Sequence, residues 1–575
     1  MVDLHVHSNR SDGTFSPREL VNYAIEKGLN AFALTDHDTV DGLREAIAYA
    51  EELRAQLTQE SLPDRETLSS AVASDVLTAD RVPQVIPGIE FSTEYEGKDV
   101  HVLGLDIDYQ SPAFTGPLRT FVESRDGRNR KMCDKLREEA GIDISYEKLT
   151  AEFPGAVITR THYSKYLLNH GYVKNLSEAF ERYVGDHCPC YIPREKVTPV
   201  QAVKLILSAD GIPVLAHPIL YHLSGERLEK LVSELKDAGL VGIEAIYSSY
   251  SSSEERRIRN LAKKYRLLIS GGSDFHGANK PGLDLAVGYG KLYVHDDVWS
   301  DLQKSKKKLL FTDMDGTLLR NDSTVSPDMR EALDQLTGAG HHLILSSGRP
   351  LPSILEVKEQ AGLSYPHMLI ISNNGALIYD CDTEMPILEQ RIRHEDIATV
   401  VAIAHKHGLH IQGYTDREIV CLEDNEETRF YRRRIHMPLK CVEDIAAALP
   451  NGSYKLQTIH LTDRSLLEQF RETLLTQTDL GERLQFAFSN DKYLEILPKD
   501  AGKGNALLYV TDYLPVLRTH TFAAGDEEND ISMIEAAHVG IAMANAVQKV
   551  KMHADVVTKK TNDEDGLVEI LERYF

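Results

Sequence analysis

Short apolar runs that end in polar residues, separated by helical patterns, recur along this chain and restrict it to α/β architecture. From the start the order is "VDLHV", "PRELVNYAIEKG", "AFALTDHD" and "VDGLREAIAYAEEL", and it resumes at "GIPVLAHP", "VGIEAIY" and "LLISGGSDFHG". Between these blocks, about residues 112–195, Arg, Lys, Glu and Leu fall at helical spacing, as in "RDGRNRKMCDKLREEAG", which reads as a helical insertion. Residues 55–84, rich in Ser, Thr and Asp, read as a surface excursion. After the Lys-rich "QKSKKK" (303–308) a second β/α rhythm runs through "LLFTDMDGTLL", "HLILSSGRP" and "MLIISNNGA". Near residue 385 it gives way to helix and paired short strands ("HIQGY", "EIVCLE", "KLQTIHL", "LQFAFS"), then returns with "KGNALLYV", "TFAAGDEEND" and "GIAMANA". The expected organisation is a domain over 1–303, a linker over 304–308, and a second domain over 309–575 interrupted by an α+β cap at about 385–492.

At 575 residues the chain exceeds a single core. Its 42% hydrophobic and 26% charged content is that of ordinary globular protein, and a net charge of -24 argues against a nonspecific polyanion binder. An anionic substrate therefore needs local positive charge or metal. The six cysteines (Cys133, Cys188, Cys190, Cys381, Cys421, Cys441) are scattered and form no disulfide framework, as a reducing cytoplasm would allow. "MVDLHVH" lacks the basic and apolar regions of a signal peptide, and no apolar run reaches the roughly 18 residues of a membrane helix. A soluble cytoplasmic protein without membrane or duplex nucleic-acid partners is expected, and its oligomeric state stays open.

In "DLHVHSNRSDGT" strand alternation puts His5 and His7 on one face, and the turn that follows carries Asp12. A lone His-x-His is common in ordinary strands, so the partners decide its meaning. The first domain supplies them at the ends of apolar runs: His37, Glu90, His101, His217, Asp274 and His276. In β/α architectures such positions converge although far apart in the chain. Imidazoles and carboxylates without thiolate suit Zn, Mn or Fe, and nine groups exceed what one ion can take. Clustered ions of this kind recur in phosphoester cleavage.

The order H-x-H, SDG, TDHD, PGIE, HVLG, AHP, SDFH over about 1–297 resembles the PHP (polymerase and histidinol phosphatase) family of metal-dependent phosphoesterases. It is most similar there to nucleoside 3',5'-bisphosphate phosphatases and 5'-to-3' oligoribonucleotide exonucleases, which share the segments Arg128-Asn129, "TRTHYSKYL" and "YIPR". The resemblance implies a (β/α)7-type barrel and a trinuclear site built from those nine residues. It also implies Arg128, Arg160 and His162 near substrate phosphates, with Tyr191 and Arg194 in the last of these segments. Arginine pairs suit a phosphate clamp.

In "LLFTDMDGTLL", Asp313 and Asp315 follow a buried strand two residues apart, and Gly316 permits a tight exit. One carboxylate can attack phosphorus while the other protonates the leaving oxygen and later activates water. Asp526 and Asp530 in "AAGDEEND" are expected, with Asp313 and Asp315, as Mg ligands or their support. Ser347 can bond the transferring phosphoryl group, and Lys503 can neutralise its charge. This segment resembles the Cof-type, IIB-capped branch of the haloacid dehalogenase superfamily. That likeness implies a Rossmann-like core, Mg, Asp313 as nucleophile, Asp315 as acid/base, and Arg349, Asn373 and Asn374 lining the pocket. Asn373 could equally be a turn residue, and Ser346-Ser347 stands where Thr is usual.

The resulting expectation is a bifunctional phosphohydrolase. Its first half acts on nucleotides or short oligonucleotides with two or three Mn, Zn or Fe ions. Its second acts on small phosphorylated metabolites with Mg. Two alternatives remain: a small-metabolite, histidinol-phosphate-like phosphatase in the first half, or one half that senses a phosphorylated ligand without turnover. Asp315 and the full set of nine metal groups are more than a pure binder needs.

Overall fold

The structure is a computed structural model that describes residues 1–59, 78–185, 188–192, 197–433 and 435–575. It divides into two compact units, Met1–Lys306 and Lys307–Phe575. Among the described residues no helix is long and apolar enough to cross a membrane.

The first unit is built on seven strands: β1 (Val2–Val6), β2 (Ala31–Leu34), β3 (Gln84–Tyr95), β4 (Lys98–Leu105), β5 (Ile212–Leu215), β6 (Gly242–Tyr247) and β7 (Leu268–Gly272). They lie in chain order, β1 to β7. Backbone bonds from Asp274 N to His5 O (2.9 Å) and from His7 N to Phe275 O (3.0 Å) bring β7 back to β1, leaving a nearly closed barrel. Closure requires close backbone approach: a Cβ on Gly272 would stand 2.5 Å from the His5 Cβ. The barrel is not wholly parallel, since β4 runs antiparallel to both β3 and β5. Glu90 and His101, expected at strand ends, therefore sit within this hairpin, where β3 overshoots its parallel neighbour and β4 runs back across it.

Helices cover the barrel for legible reasons. Pro17–Glu26 starts with a capping box between Ser16 and Glu19, has Pro at its first position, and buries Leu20, Val21 and Ala24. Pro112–Ala140, Tyr146–Glu152 and Arg160–Asn169 enclose a small core of their own, including Met132, Leu136, Leu149, Tyr163 and Leu167. Of the excursion read at 55–84, the first residues continue the helix Leu43–Gln59, and 60–77 lie outside the described residues, as does Arg194.

The second unit begins with β8 (Leu309–Thr312), β9 (His342–Ser346), β10 (Leu369–Ser372), β11 (Leu377–Asp380) and β12 (Met385–Glu389). The chain then builds β13 (His410–Tyr414), β14 (Ile419–Cys421), β15 (Leu439–Cys441), β16 (Leu456–Ile459), β17 (Leu484–Asn490) and β18 (Tyr493–Pro498), and ends with β19 (Thr521–Gly525), β20 (Val539–Ala542) and β21 (Val556–Val557). One sheet has the order β12-β11-β10-β9-β8-β19-β20-β21, and the other β15-β14-β13-β16-β18-β17. The change of pattern near 385 is β12, which pairs with β11 at the edge of the core sheet. The cap sheet begins only at β13 and runs to Pro498, past residue 492. Periodicity marks a strand but not the sheet it joins.

Candidate active sites

At the mouth of the barrel Glu90 is the hub. Its Oε2 lies 3.3 Å from His5 Nε2, 3.2 Å from His7 Nε2 and 3.1 Å from His37 Nδ1. Its Oε1 lies 2.8 Å from His101 Nδ1 and 3.1 Å from His217 Nε2. Asp12 Oδ1 is 3.2 Å from His276 Nε2, and Asp274 Oδ1 is 3.4 Å from His7 Nε2. All nine expected groups meet here, in overlapping sets whose donor atoms lie within 4.8 Å of one another: His7, Asp12, His37 and His276; His5, His7 and Asp274; His5, Glu90 and His217; His37, Glu90 and His101.

The donors fit metal. His5 Nε2, both ring nitrogens of His7, and Asp12 Oδ1 are buried without a hydrogen-bond partner, an arrangement that costs free energy unless an ion satisfies it. Burial opposes charge on Glu90, yet His37, His5 and His101 hold its carboxyl well below the usual carboxylate range. Burial would keep His7 neutral, but Asp274 and Glu90 push it up to about 9, while burial drives His37 down to about 3. The cluster borders a cavity of about 350 Å³, whose lining includes Asp12, His37, His101 and His217 together with Arg128, Arg160 and Tyr191.

In the second unit Lys503 is fully buried, and its Nζ donates to Asp313 Oδ1 and Asp530 Oδ1, both at 2.6 Å. Asp526 completes a cluster with Asp313 and Asp530 and accepts from Thr317 Oγ1 at 2.9 Å. Burial raises Asp313 well above its ordinary range in spite of Lys503, and burial with Asp530 pushes Asp526 up to about 7. Three crowded carboxylates, two of them sharing one ammonium, suit a divalent cation with oxygen ligands. A Cβ at Gly316, whose φ is 79°, would strike the Asp526 carboxylate, so the turn after Asp313 demands glycine. A cavity of about 170 Å³ is lined by Asp313, Asp315, Ser347 and Arg349 from the core and by Tyr431, Lys455, Tyr493 and Glu495 from the cap.

Residues 3–182 match the family model of the PHP domain, and residues 310–571 match that of haloacid dehalogenase-like hydrolases. A 5'-3' exoribonuclease of Haemophilus influenzae is 35% identical over 274 residues, which are 48% of this chain and 89% of that protein. This chain joins a PHP-family phosphoesterase to a haloacid dehalogenase-like phosphatase. A 3',5'-nucleoside bisphosphate phosphatase of Chromobacterium violaceum is 30% identical to the PHP-bearing chain over 303 residues, 52% of this chain and 96% of the relative. A solved haloacid dehalogenase-like hydrolase from Bacteroides thetaiotaomicron is 28% identical, covering 47% of this chain and 100% of its own, with a TM-score of 0.44.

Within the PHP half, Arg128 and Arg160 stand over the Tyr191 ring at 5.5 and 5.6 Å from its centroid. Arg128 Nε donates to Ile192 O at 2.8 Å, and Arg160 Nη2 donates to Asp99 Oδ2 at 2.7 Å. His162 is buried and is not among the residues lining the cavity. Its Nδ1 accepts from Thr159 N at 3.0 Å in the capping box of Arg160–Asn169. Four buried or half-buried groups escaped the sequence reading. Asp36 accepts from Ser8 N, Ser8 Oγ and Ser11 Oγ at 2.8, 2.6 and 2.6 Å, fixing the turn that presents Asp12. Tyr247 Oη (2.6 Å) and Lys280 Nζ both donate to Asp274 Oδ2, and Glu244 binds His5. Only Asp36, inside "LTDHD", carried any local signal.

Within the haloacid dehalogenase-like half, Asp315 departs from the expected ligand set. Both its oxygens are held by Arg349, and it is absent from the carboxylate cluster. β8 ends at Thr312, so strand alternation does not govern the turn that carries Asp313 and Asp315. Asn374 Nδ2 donates to Glu495 of the cap, while its Oδ1 accepts from Asn529 at 3.1 Å. Asn373 lines a separate cavity of about 180 Å³ with Tyr379, Tyr414 and Tyr454. Lys455 is buried in the cap, donating to Glu495 Oε1 at 2.9 Å and to the Gly348 carbonyl of the core at 2.8 Å, with no motif to announce it.

Proposed function

We propose that the PHP half hydrolyses phosphate esters of nucleotides, either 3',5'-bisphosphates or short 5'-phosphorylated oligonucleotides, and that the second half is a Mg-dependent phosphatase of small metabolites. The observation that carries the first reading is one cavity lined both by metal donors and by two guanidinium groups close to a tyrosine ring. Phosphate suits the guanidinium groups, and a base can stack on an aromatic face. The names of the two PHP relatives support the same class. Two or three Zn, Mn or Fe ions suit the thiol-free donor set, and, held by those nine residues, they would supply hydroxide near neutral pH and polarise phosphoryl oxygens.

In the second half Asp313 forms a bond to phosphorus as the ester oxygen leaves with a proton from Asp315. Water then attacks the aspartyl-phosphate and gives its proton to Asp315, releasing phosphate and restoring Asp313. Lys503 and Ser347 hold the phosphoryl oxygens meanwhile. Phosphate release and product identity for Asp274→Asn, Asp313→Asn and the double variant test the assignment. Asp274→Asn should lose hydrolysis of a nucleoside 3',5'-bisphosphate and keep the Mg-dependent activity, with Asp313→Asn the reverse, each by about a thousandfold. Loss of bisphosphate hydrolysis in Asp313→Asn, with fold and metal content intact, would overturn the division.

A further inference from the structure

Glu244 on β6 is fully buried, and both of its oxygens are spent next to the histidine cluster. Oε1 lies 3.1 Å from His5 Nδ1, and Oε2 accepts from the backbone N–H of His217 at 2.7 Å. We propose that Glu244 is the positioning residue for one metal position of the PHP site, the one bounded by His5, Glu90 and His217, an inference that rests on the metal reading above.

A carboxylate only accepts, so Glu244 favours a proton on His5 Nδ1 and reserves for an ion the Nε2 that lies 3.3 Å from Glu90 Oε2 and 3.6 Å from Asp274 Oδ1. The second contact acts on backbone. His217 has φ 22° and ψ 57°, in the left-handed half of the map that a residue with a Cβ enters only when its surroundings hold it there. The bond from its N–H to Glu244 is one such restraint, and in this conformation Nε2 lies 3.1 Å from Glu90 Oε1. One carboxylate thus sets the tautomer of one ligand and the main-chain direction of another, whose rings stack at 5.6 Å. No second residue joins these two histidines in this way among the described hydrogen bonds.

Glutamine has nearly the same shape but cannot do both jobs. With its amide NH2 toward His217 it meets an N–H, and with the NH2 toward His5 it forces the ring proton onto Nε2. Glu244→Gln should therefore weaken one ion by about 10–100-fold and leave the others unchanged. Aspartate keeps two acceptors, so Glu244→Asp should retain more of that affinity than Glu244→Gln. The test is Mn2+ titration of the full chain, counting bound equivalents by the paramagnetic resonance of free Mn2+, with far-UV circular dichroism to verify folding. Wild-type affinities at every position in folded Glu244→Gln would overturn the inference, as would a uniform loss at all positions. Wild type that binds no Mn2+ would remove the metal reading and this inference together. A measurement on the unaltered chain stands beside the variants: with Zn2+ bound, 1H–15N correlation should place the His5 ring proton on Nδ1, and ligation through Nδ1 would overturn the assignment.

Discussion

The guanidinium of Arg349 grips the carboxylate of Asp315 with two bonds, Nε to Oδ2 at 2.6 Å and Nη2 to Oδ1 at 2.7 Å. The fork-to-fork geometry orients the proposed acid/base as a carboxylate, and one of its oxygens must leave the arginine before it carries the proton given up in the first step. If orientation is the role of Arg349, Arg349→Gln lowers kcat of the Mg-dependent reaction by about 10–100-fold, a fraction of what acid–base catalysis contributes, with little change in KM. Steady-state kinetics on a small phosphate ester separates this from a substrate clamp, whose loss would raise KM instead.

Lys503 should matter to stability as well as chemistry. Its removal leaves Asp313 and Asp530 buried without their shared cation. Lys503→Met is expected to destabilise the second unit by about 3–5 kcal/mol, as breaking a buried pair does, and added Mg should restore part of the loss. Denaturant unfolding with and without Mg measures both effects. Equal stability of variant and wild type would mean that the carboxylates shed their charge at no cost.

Metal loading of the PHP half should depend on pH in a definite direction. His7 is raised to about 9, so below that pH an ion must displace a proton from it. Apparent affinity is therefore expected to rise with pH, by about tenfold per unit for the proton displaced from His7 and more steeply where His5, raised in spite of its burial by Glu90, Glu244 and Asp274, must give one up as well. Competition titration with a chromophoric chelator at pH 6.5, 7.5 and 8.5 gives the slope. A flat profile would mean that His7 enters the site already neutral.

His341 offers a pH test away from either site. Burial, then Lys308 and Lys307, push it down to about 4, and its Nδ1 accepts from Lys308 N at 3.1 Å. Between about pH 4 and 6.5 the unfolded chain binds the proton more tightly than the folded one. Stability from this group is thus complete above pH 6.5 and is lost as pH falls toward 4. His341→Gln should flatten that part of the stability profile, seen as a smaller fall in Tm from pH 7 to pH 4.5 than in wild type.

Two α/β units were legible in the sequence, as were the groups that come together in the two clusters, because strands repeat every two residues and β/α folds gather polar residues where strands end. His5, His7, Asp12, Asp274 and His276 draw their meaning from recurring together at the ends of apolar runs, and Asp313 and Asp526 from the order of their motifs. Other positions depend on which elements become neighbours. Glu244 in "GIEAIY" looks like any strand residue until β6 and β1 face one barrel mouth, and Glu90 becomes the hub only because β3 overshoots into an antiparallel hairpin. The family resemblance implies His162 near substrate phosphates, yet its Nδ1 accepts from Thr159 N at the start of its own helix, a competition between local and long-range partners that spacing does not reveal. Likewise the change of pattern near 385 gives no sheet membership, and only hydrogen-bond pairing assigns β12 to the core and β13 to the cap. Side-chain periodicity is local and written in the chain, whereas pairing, closure and buried carboxylate contacts arise between segments far apart in it, so they are decided when the units pack.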